Sequence, residues 1–393
     1  MDQSSSWPVV SFERCEWIPA SADSMSRRSA LKNRGPFEAA VPGFIADCKI
    51  SISTSALAIA DEAGHELTRF DAEAGHYFIP FTSILLRSEA ASSSQIENLT
   101  ASPTAIFKAE LGISETPNAR LIVSNQRALE SAVSIGDQLN LKAILRMHEL
   151  LLGESAPHIA GRLRKEQGWI GGSSFGPHGA AYIAPQSERV NALMTDWLNF
   201  SKRLDIPAVI QVAIAHAQFE TIHPFADGNG RTGRALIHAM LHRLGVIQNV
   251  AIPISTGLLK NTKQYFEALE SYRSADLDSI VTIVAEASLS AVQQSRKVAS
   301  AFEVLQATWL EQIDVRSDAT ALKLINHLFK QPLITSQQVV QQLNVTPRSA
   351  NFAIEKLVEL GILEQLNSGA RNRIWVAEEI IQSLDSFASG LRR

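Results

Sequence analysis

The sequence predicts a mainly helical protein with one small β-hairpin and a separate C-terminal helix-turn-helix unit. Three observations predict it. Apolar residues recur at helical spacing through most of positions 43–312, one Gly-rich stretch between two short β-prone runs interrupts them, and the residues after 315 carry three helical patterns followed by two strand patterns.

Residues 1–42 are Ser-rich and broken by Pro8, Pro19, Pro36 and Pro42, so an irregular arm is expected there. Helical patterns then run over 43–62, 82–99, 119–136 and 140–152, the last of them stopped by Gly153. Gly168-Trp169-Ile170-Gly171-Gly172-Ser173 and Ala181-Tyr182-Ile183-Ala184-Pro185 read as the two strands of a hairpin around a polar turn. An amphipathic helix follows over 186–203. From Asp205 to Ile222 nearly every position is apolar, which predicts a helix buried almost all round. Beyond it, Pro253 marks a bend, helical spacing resumes through NTKQYFEALESYRSAD, and a long helix over 276–312 leads into the last domain. There, 318–330, 335–342 and 347–360 are helical patterns. Thr346 is placed as a cap, Pro347 at the first helical position and Gly361 as the stop, before ILEQL and RIWVA form a two-stranded wing. The expected domains are an arm (1–42), an N-terminal helical region (43–118), a central domain with its trailing helices (119–300) and a terminal domain (315–393).

The chemistry concentrates in His223–Arg234, HPFADGNGRTGR. Pro224 disfavours helical geometry at His223, which puts the imidazole at a helix exit. Gly228 and Gly230 permit positive φ and close backbone approach, and Arg231 reopens a helical pattern. Free amides at a helix N-terminus favour an anion, so phosphate is the natural guest, with Arg231 and Arg234 adding forked donors. Asp227 repels phosphate unless Mg²⁺ lies between them. An imidazole of ordinary pKa near about 6.5 can accept a proton from an attacking hydroxyl at neutral pH. No Lys-Ser/Thr follows the glycines and no strand precedes them, which excludes the P-loop and the dinucleotide fingerprint. A zinc site on His216, Glu220 and His223 is the rival reading, because that spacing puts all three on one helical face. The alternative for His216 and Glu220 is a polar core role.

This string resembles the HxFx(D/E)GNGRxxR signature of Fic domain proteins at every defined position. The resemblance implies an all-helical catalytic core over about 40–300 that transfers AMP from Mg·ATP to a Ser, Thr or Tyr hydroxyl of a target protein, the chain itself included. It implies His223 as general base, Asp227 as Mg²⁺ ligand, Gly228, Asn229 and Gly230 as phosphate cradle, and Arg231 and Arg234 as phosphate contacts, Arg234 for the γ-phosphate. Asn261 and Tyr265 fall where the family lies near the adenine or ribose, with core packing the alternative for Tyr265. Ser93-x-x-x-Glu97-Asn98, within an expected helix over 88–99, resembles the family's inhibitory (S/T)xxxE(G/N) helix. A carboxylate at Glu97 paired with Arg234 would block the γ-phosphate. The run Trp169, Ile170, Gly171, Gly172 resembles the family's flap, whose strand edge would hold a target segment by main-chain bonds. Removal of AMP, with Glu97 orienting a water, is the alternative reaction.

The order of elements after 315 resembles a winged helix-turn-helix, for which DNA is the first partner to weigh. Charge argues against it. Between 336 and 376, Arg348, Lys356, Arg371 and Arg373 face Glu355, Glu359 and Glu364, a balance of 4 − 3 = +1, whereas duplex binding usually rests on about six or more phosphate contacts. Homodimerisation and target docking are the alternatives for this domain.

Composition narrows the classes further. At 393 residues, 45% hydrophobic and 19% charged, the chain can bury two or three cores and is not disordered, while a net charge of −4 excludes global steering toward nucleic acid. Cys15 and Cys48 form no CxxC pair, which suits a reducing, cytoplasmic setting. MDQSSSWPVV lacks the features of a secretory signal, and no apolar run approaches the roughly 18 residues of a membrane span, so no membrane partner is expected.

Overall fold

The computed structural model describes residues 7–17, 34–77, 82–113, 116–135, 138–173, 175–313, 319–367, 369 and 372–390. Helices dominate, as the apolar spacing predicts, and the chain divides into two compact units. One holds the positions up to 64 with 127–246 and 261–286; the other holds 65–126, 247–260 and 287–393.

The first correction comes at the start of the chain. β1 (Ser11–Trp17) and β2 (Gly35–Val41) pair antiparallel, with Cys15 opposite Phe37, where an irregular arm is expected over 1–42. The partner strand is distant in sequence, so no local turn signal announces the pair; positions 18–33 between them lie outside the described residues. α1 (Thr54–Tyr77) also starts later than the pattern over 43–62 suggests. The Ile45 and Ala46 amides donate to the Asp196 carboxylate at 2.6 and 3.2 Å, which holds that stretch outside any helix, and Ser53 Oγ then accepts from the Ala56 amide.

α2 (Thr82–Ile96), α3 (Pro103–Glu110), α4 (Pro117–Ile135) and α5 (Leu141–Leu152) follow. β3 (Trp169–Ile170) and β4 (Tyr182–Ile183) make the expected hairpin. Next come α6 (Ser187–Ser201), α7 (Ala208–Ile222), α8 (Asn229–Arg243), α9 (Ile254–Lys260), α10 (Thr262–Arg273) and α11 (Leu277–Glu311). The terminal part contains α12 (Ala319–Leu328), β5 (Leu333–Thr335), α13 (Ser336–Leu343), α14 (Pro347–Glu359), β6 (Glu364–Gln365), β7 (Ile374–Val376) and α15 (Glu378–Gly390). Thr346 caps α14 with Pro347 in its first turn, as expected. The strand β5 was not anticipated: it joins the two wing strands in a sheet of order β5-β7-β6, Leu333 opposite Val376.

In the first unit α7 is the axis. Every residue from Val209 to Ile222 is buried, because its apolar side chains leave no polar stripe for water. Trp197 of α6 donates its indole N–H to the Ala215 carbonyl at 2.7 Å, and the Gln211 amide spans the carbonyls of Phe200, Ser201 and Arg203 at the end of α6. In the second unit, the Asn125 amide of α4 reaches the Ala90 carbonyl (2.9 Å) and Ser94 Oγ (3.2 Å) of α2, which seats that helix through buried hydrogen bonds. A second core gathers Phe302 and Trp309 of α11 with Phe329, Leu324, Leu357 and Trp375. Among the described residues no helix is long and apolar enough to cross a membrane.

Gly257 of α9 is packed so closely that a Cβ would stand 2.5 Å from Ala287 Cα and its carbonyl oxygen. Backbone cannot yield as a side-chain tip can. Gly257→Ala should therefore cost about 1–3 kcal/mol in urea unfolding, as overpacking does; an unchanged midpoint would contradict the α9–α11 contact.

Candidate functional site

The turn between α7 and α8 carries the predicted cluster, and two left-handed residues bracket it. His223 ends α7 at φ 50, ψ 61, and Gly228 opens α8 at φ 76, ψ 13. Pro224 disfavours right-handed helical geometry at His223, and the chain takes αL there. At Gly228 the αL geometry costs nothing, and a Cβ would meet Leu151 Cδ2 at 3.0 Å.

Between these ends the loop is fastened from within. Asn229 Oδ1 accepts from the Phe225 amide at 2.8 Å while its Nδ2 donates to the Phe225 carbonyl at 2.9 Å. The Asn229 side chain is thus committed to the loop, and what it can offer an anion is its main-chain N–H. The first helical bond of α8 runs from the Thr232 amide to the Gly228 carbonyl, which leaves the amides of Asn229, Gly230 and Arg231 as the opening N–H groups of the helix. Arg231 and Arg234 are both buried, at 5% and 1% exposure. Asp227 is exposed; its Oδ1 accepts from the Gly228 amide at 2.7 Å, and its Oδ2 lies 3.6 Å from Arg231 Nη2. His223 is half-buried.

Two residues that the sequence did not flag hold this turn. His148 of α5, fully buried, accepts the Gly161 amide at Nδ1 (3.0 Å), which leaves the proton on Nε2 to donate to the Asp227 carbonyl at 2.9 Å. Its ring stacks on Phe225 with centroids 3.8 Å apart, and burial lowers its pKa. Arg164 bonds to main chain at the same turn. A histidine on the apolar face of the 140–152 helix was the available signal for the first; an arginine in a loop gave none.

The rival metal reading fails. His223 lies beyond the helix, His216 Nε2 is hydrogen-bonded to the Tyr265 hydroxyl at 2.7 Å, and the described residues contain no three-residue His/Cys/Asp/Glu group able to hold a metal. Gly233 shows why α7 and α8 approach so closely: a Cβ there would stand 2.4 Å from Glu220 Oε1.

Tyr265, read either as a nucleotide contact or as a core residue, is 1% exposed and stacks on His216, which agrees with the core-packing alternative. Asn261 is exposed at the start of α10, with no capping bond from its side chain. In the hairpin, Ile170 is 39% exposed, and Gly171 and Gly172 take φ 75 and 73 in the turn. Trp169 instead donates its indole N–H to the Ser173 carbonyl and meets Trp17 edge-on at 5.4 Å. Ser93, Glu97 and Asn98 belong to the second unit, whereas 223–234 belong to the first. Ser93 is buried in α2, which ends at Ile96 rather than 99; Glu97 is exposed in the following turn, and Asn98 closes that turn at φ 61.

A helix-loop-helix of this build, with its glycine-bracketed turn and buried arginines, falls in a region that matches a known family. The chain matches the model of the Fic/DOC family over residues 138–241. It is 34% identical over 158 residues to protein adenylyltransferase fic-1 of Caenorhabditis elegans, covering 40% of this chain and 29% of that protein. Protein adenylyltransferase Fic of Drosophila willistoni is 32% identical over 149 residues, 38% of this chain and 28% of that protein. The chain thus spans less than a third of the length of these relatives. A crystal structure of a Fic family protein from Desulfovibrio desulfuricans shares the fold with a TM-score of 0.55 at 21% identity, over 84% of this chain and 97% of that one.

The buried His216 generates a pH prediction. Burial first, and the positive charge of Arg234 second, push its pKa down to about 3, so the folded state keeps it neutral. A lowered imidazole pKa contributes stability that is complete above about 6.5 and is lost as pH falls from there toward 3, because the unfolded chain takes up the proton first. His216→Asn should flatten the acid side of a urea-midpoint profile by up to about one proton, or about 1.4 kcal/mol per pH unit. An unaltered slope between pH 6 and 4 would show that His216 does not titrate this way.

Proposed function

We propose that this chain is a protein adenylyltransferase, transferring AMP from Mg·ATP to a Ser, Thr or Tyr hydroxyl of a protein target, the chain itself included. The observation that carries the reading is the turn itself: a histidine held at a left-handed helix exit, one loop before a glycine-capped helix N-terminus with two buried guanidiniums. The names of the relatives support it.

In this reading His223 accepts the proton of the target hydroxyl. The freed oxygen attacks the α-phosphorus, the bond to the bridging oxygen breaks, and pyrophosphate departs with the electron pair. The Gly228–Asn229–Gly230 turn and the opening amides of α8 cradle the phosphates; Arg231 and Arg234 neutralise them, and Asn261 contacts the base or ribose. Asp227 would hold Mg²⁺, whose charge offsets that of the phosphates. Its exposed carboxylate suits an ion that takes one protein ligand and completes its shell with phosphate oxygens and water. The edge of β3, with Ile170 outward, holds the target segment, and Gly171 and Gly172 shape its end. The inhibitory reading adds Glu97, which lies in the turn after α2 between Ser93 and Asn98 in sequence: its carboxylate would pair with Arg234 and keep the γ-phosphate out. A reducing cytoplasm suits the two free thiols, Cys15 and Cys48.

The terminal domain is read as a winged helix-turn-helix that contacts protein, as a homodimer or at a target. Phe352 of α14 is 61% exposed, on the helix that DNA binding would use, and an apolar ring there favours protein over phosphate. DNA remains the weaker partner.

His223→Ala should abolish label transfer from α-labelled ATP, and Glu97→Gly should raise it at least about tenfold, the order expected when a charge pair no longer blocks a phosphate site. Unchanged or lower transfer in Glu97→Gly would overturn the restraint. Release of AMP from a modified target by the wild type, lost in Glu97→Gly, would assign Glu97 the water-orienting role instead.

A further inference from the structure

Arg164 lies in the loop between α5 and β3, 5% exposed, and its guanidinium donates to four main-chain carbonyls. Nε donates to the His223 carbonyl at 2.8 Å. Nη2 donates to the Pro185 carbonyl at 2.6 Å and, at 3.5 Å, to that of Ile222. Nη1 donates to the Glu166 carbonyl at 3.0 Å, and the Arg164 amide donates to the Pro224 carbonyl, also at 3.0 Å. One planar fork therefore touches four places: the exit of α7, the residue before it, the chain just ahead of β3 and the chain just after β4.

The left-handed geometry of His223 is strained for an L-residue, and Pro224 by itself permits an extended residue there. Something must choose. A charged guanidinium bonded to the His223 carbonyl favours the left-handed choice, because a charge-assisted hydrogen bond is stronger than a neutral one. Burial lowers the guanidinium pKa to about 10, so it stays charged at neutral pH. Gly168 carries independent evidence of the fit: a Cβ there would stand 3.2 Å from Arg164 Nε and 3.3 Å from Cδ, so the hairpin's root is a glycine where the arginine passes.

We propose that Arg164 is a positioning residue that sets the His223 imidazole and the β3–β4 hairpin in one frame, so that base and target-docking strand keep a fixed spacing. The proposal rests on the roles given above to His223 and to the hairpin. Lysine cannot replace the fork, since it is a single point donor.

The test uses the full chain with Arg164→Ala, Arg164→Lys and Gly168→Ala, followed by hydrogen–deuterium exchange and by label transfer in the Glu97→Gly background. Arg164→Ala should lose protection at 166–170, 181–185 and 222–225 together, while α6 keeps its own. Its kcat should fall at least about tenfold with the KM for Mg·ATP changed less than about threefold, as misorientation of a base does. Added guanidinium ion should restore both readouts, and Arg164→Lys should resemble Arg164→Ala. If Arg164→Ala does not fold, Gly168→Ala carries the test, because its methyl crowds the same guanidinium and should loosen the same three segments at once. Loss confined to one segment, full activity in Arg164→Lys, or unchanged exchange in Gly168→Ala would overturn the proposal. His223→Ala separates the two readings: transfer that survives in it sinks the general-base role and leaves the exchange result for Arg164 standing.

Discussion

Two buried helices must meet at a turn too short to relax, and that constraint governs the rest of the molecule's chemistry. α7 is apolar on every side and α8 is buried over most of its length, with Gly233 letting the two come within contact of Glu220. The seam fixes both helix axes, so the residues between them have little freedom. The chain solves the reversal with one left-handed residue at each end, His223 and Gly228, and fastens the middle through Asn229 and Phe225.

That arrangement places unlike groups close together. Buried guanidiniums of Arg231 and Arg234 stand beside helix-opening amides, and an exposed Asp227 lies beside them. Cationic groups in a low-dielectric setting are costly unless an anion offsets them. In the proposed reading, the phosphates of a bound nucleotide would stand against these groups.

The support of the turn comes from beyond it in the chain. His148 grips the Asp227 carbonyl and Arg164 grips that of His223, so α5 and the loop after it act on opposite ends of the same six residues. Both are polar residues in buried surroundings whose bonds go to backbone, and each makes the strained turn the lower-energy choice. The β1–β2 hairpin adds to this frame through Trp17, which meets Trp169 edge-on and donates to the Phe175 carbonyl. In the first unit Arg164 thus bonds both to the chain flanking the β3–β4 hairpin and to the His223 carbonyl.

Much of this was legible in the residues alone. The all-apolar run of α7, the proline after His223, the glycine bracket and the helical spacing of α4 to α8 dictate their own local geometry, because period, φ restriction and missing Cβ atoms act within a few residues. Thr346 and Pro347 marked the start of α14 for the same reason. The tertiary structure alone decided what local pattern cannot encode. β1 and β2 pair across a long gap, Asp196 delays α1 by taking amides from a distant segment, and β5 joins the wing through its edge. Tyr265 was drawn into the core by His216. The clamps at Arg164 and His148 are likewise contacts between residues dozens of positions apart, where hydrogen bonding and burial, not sequence spacing, set the outcome.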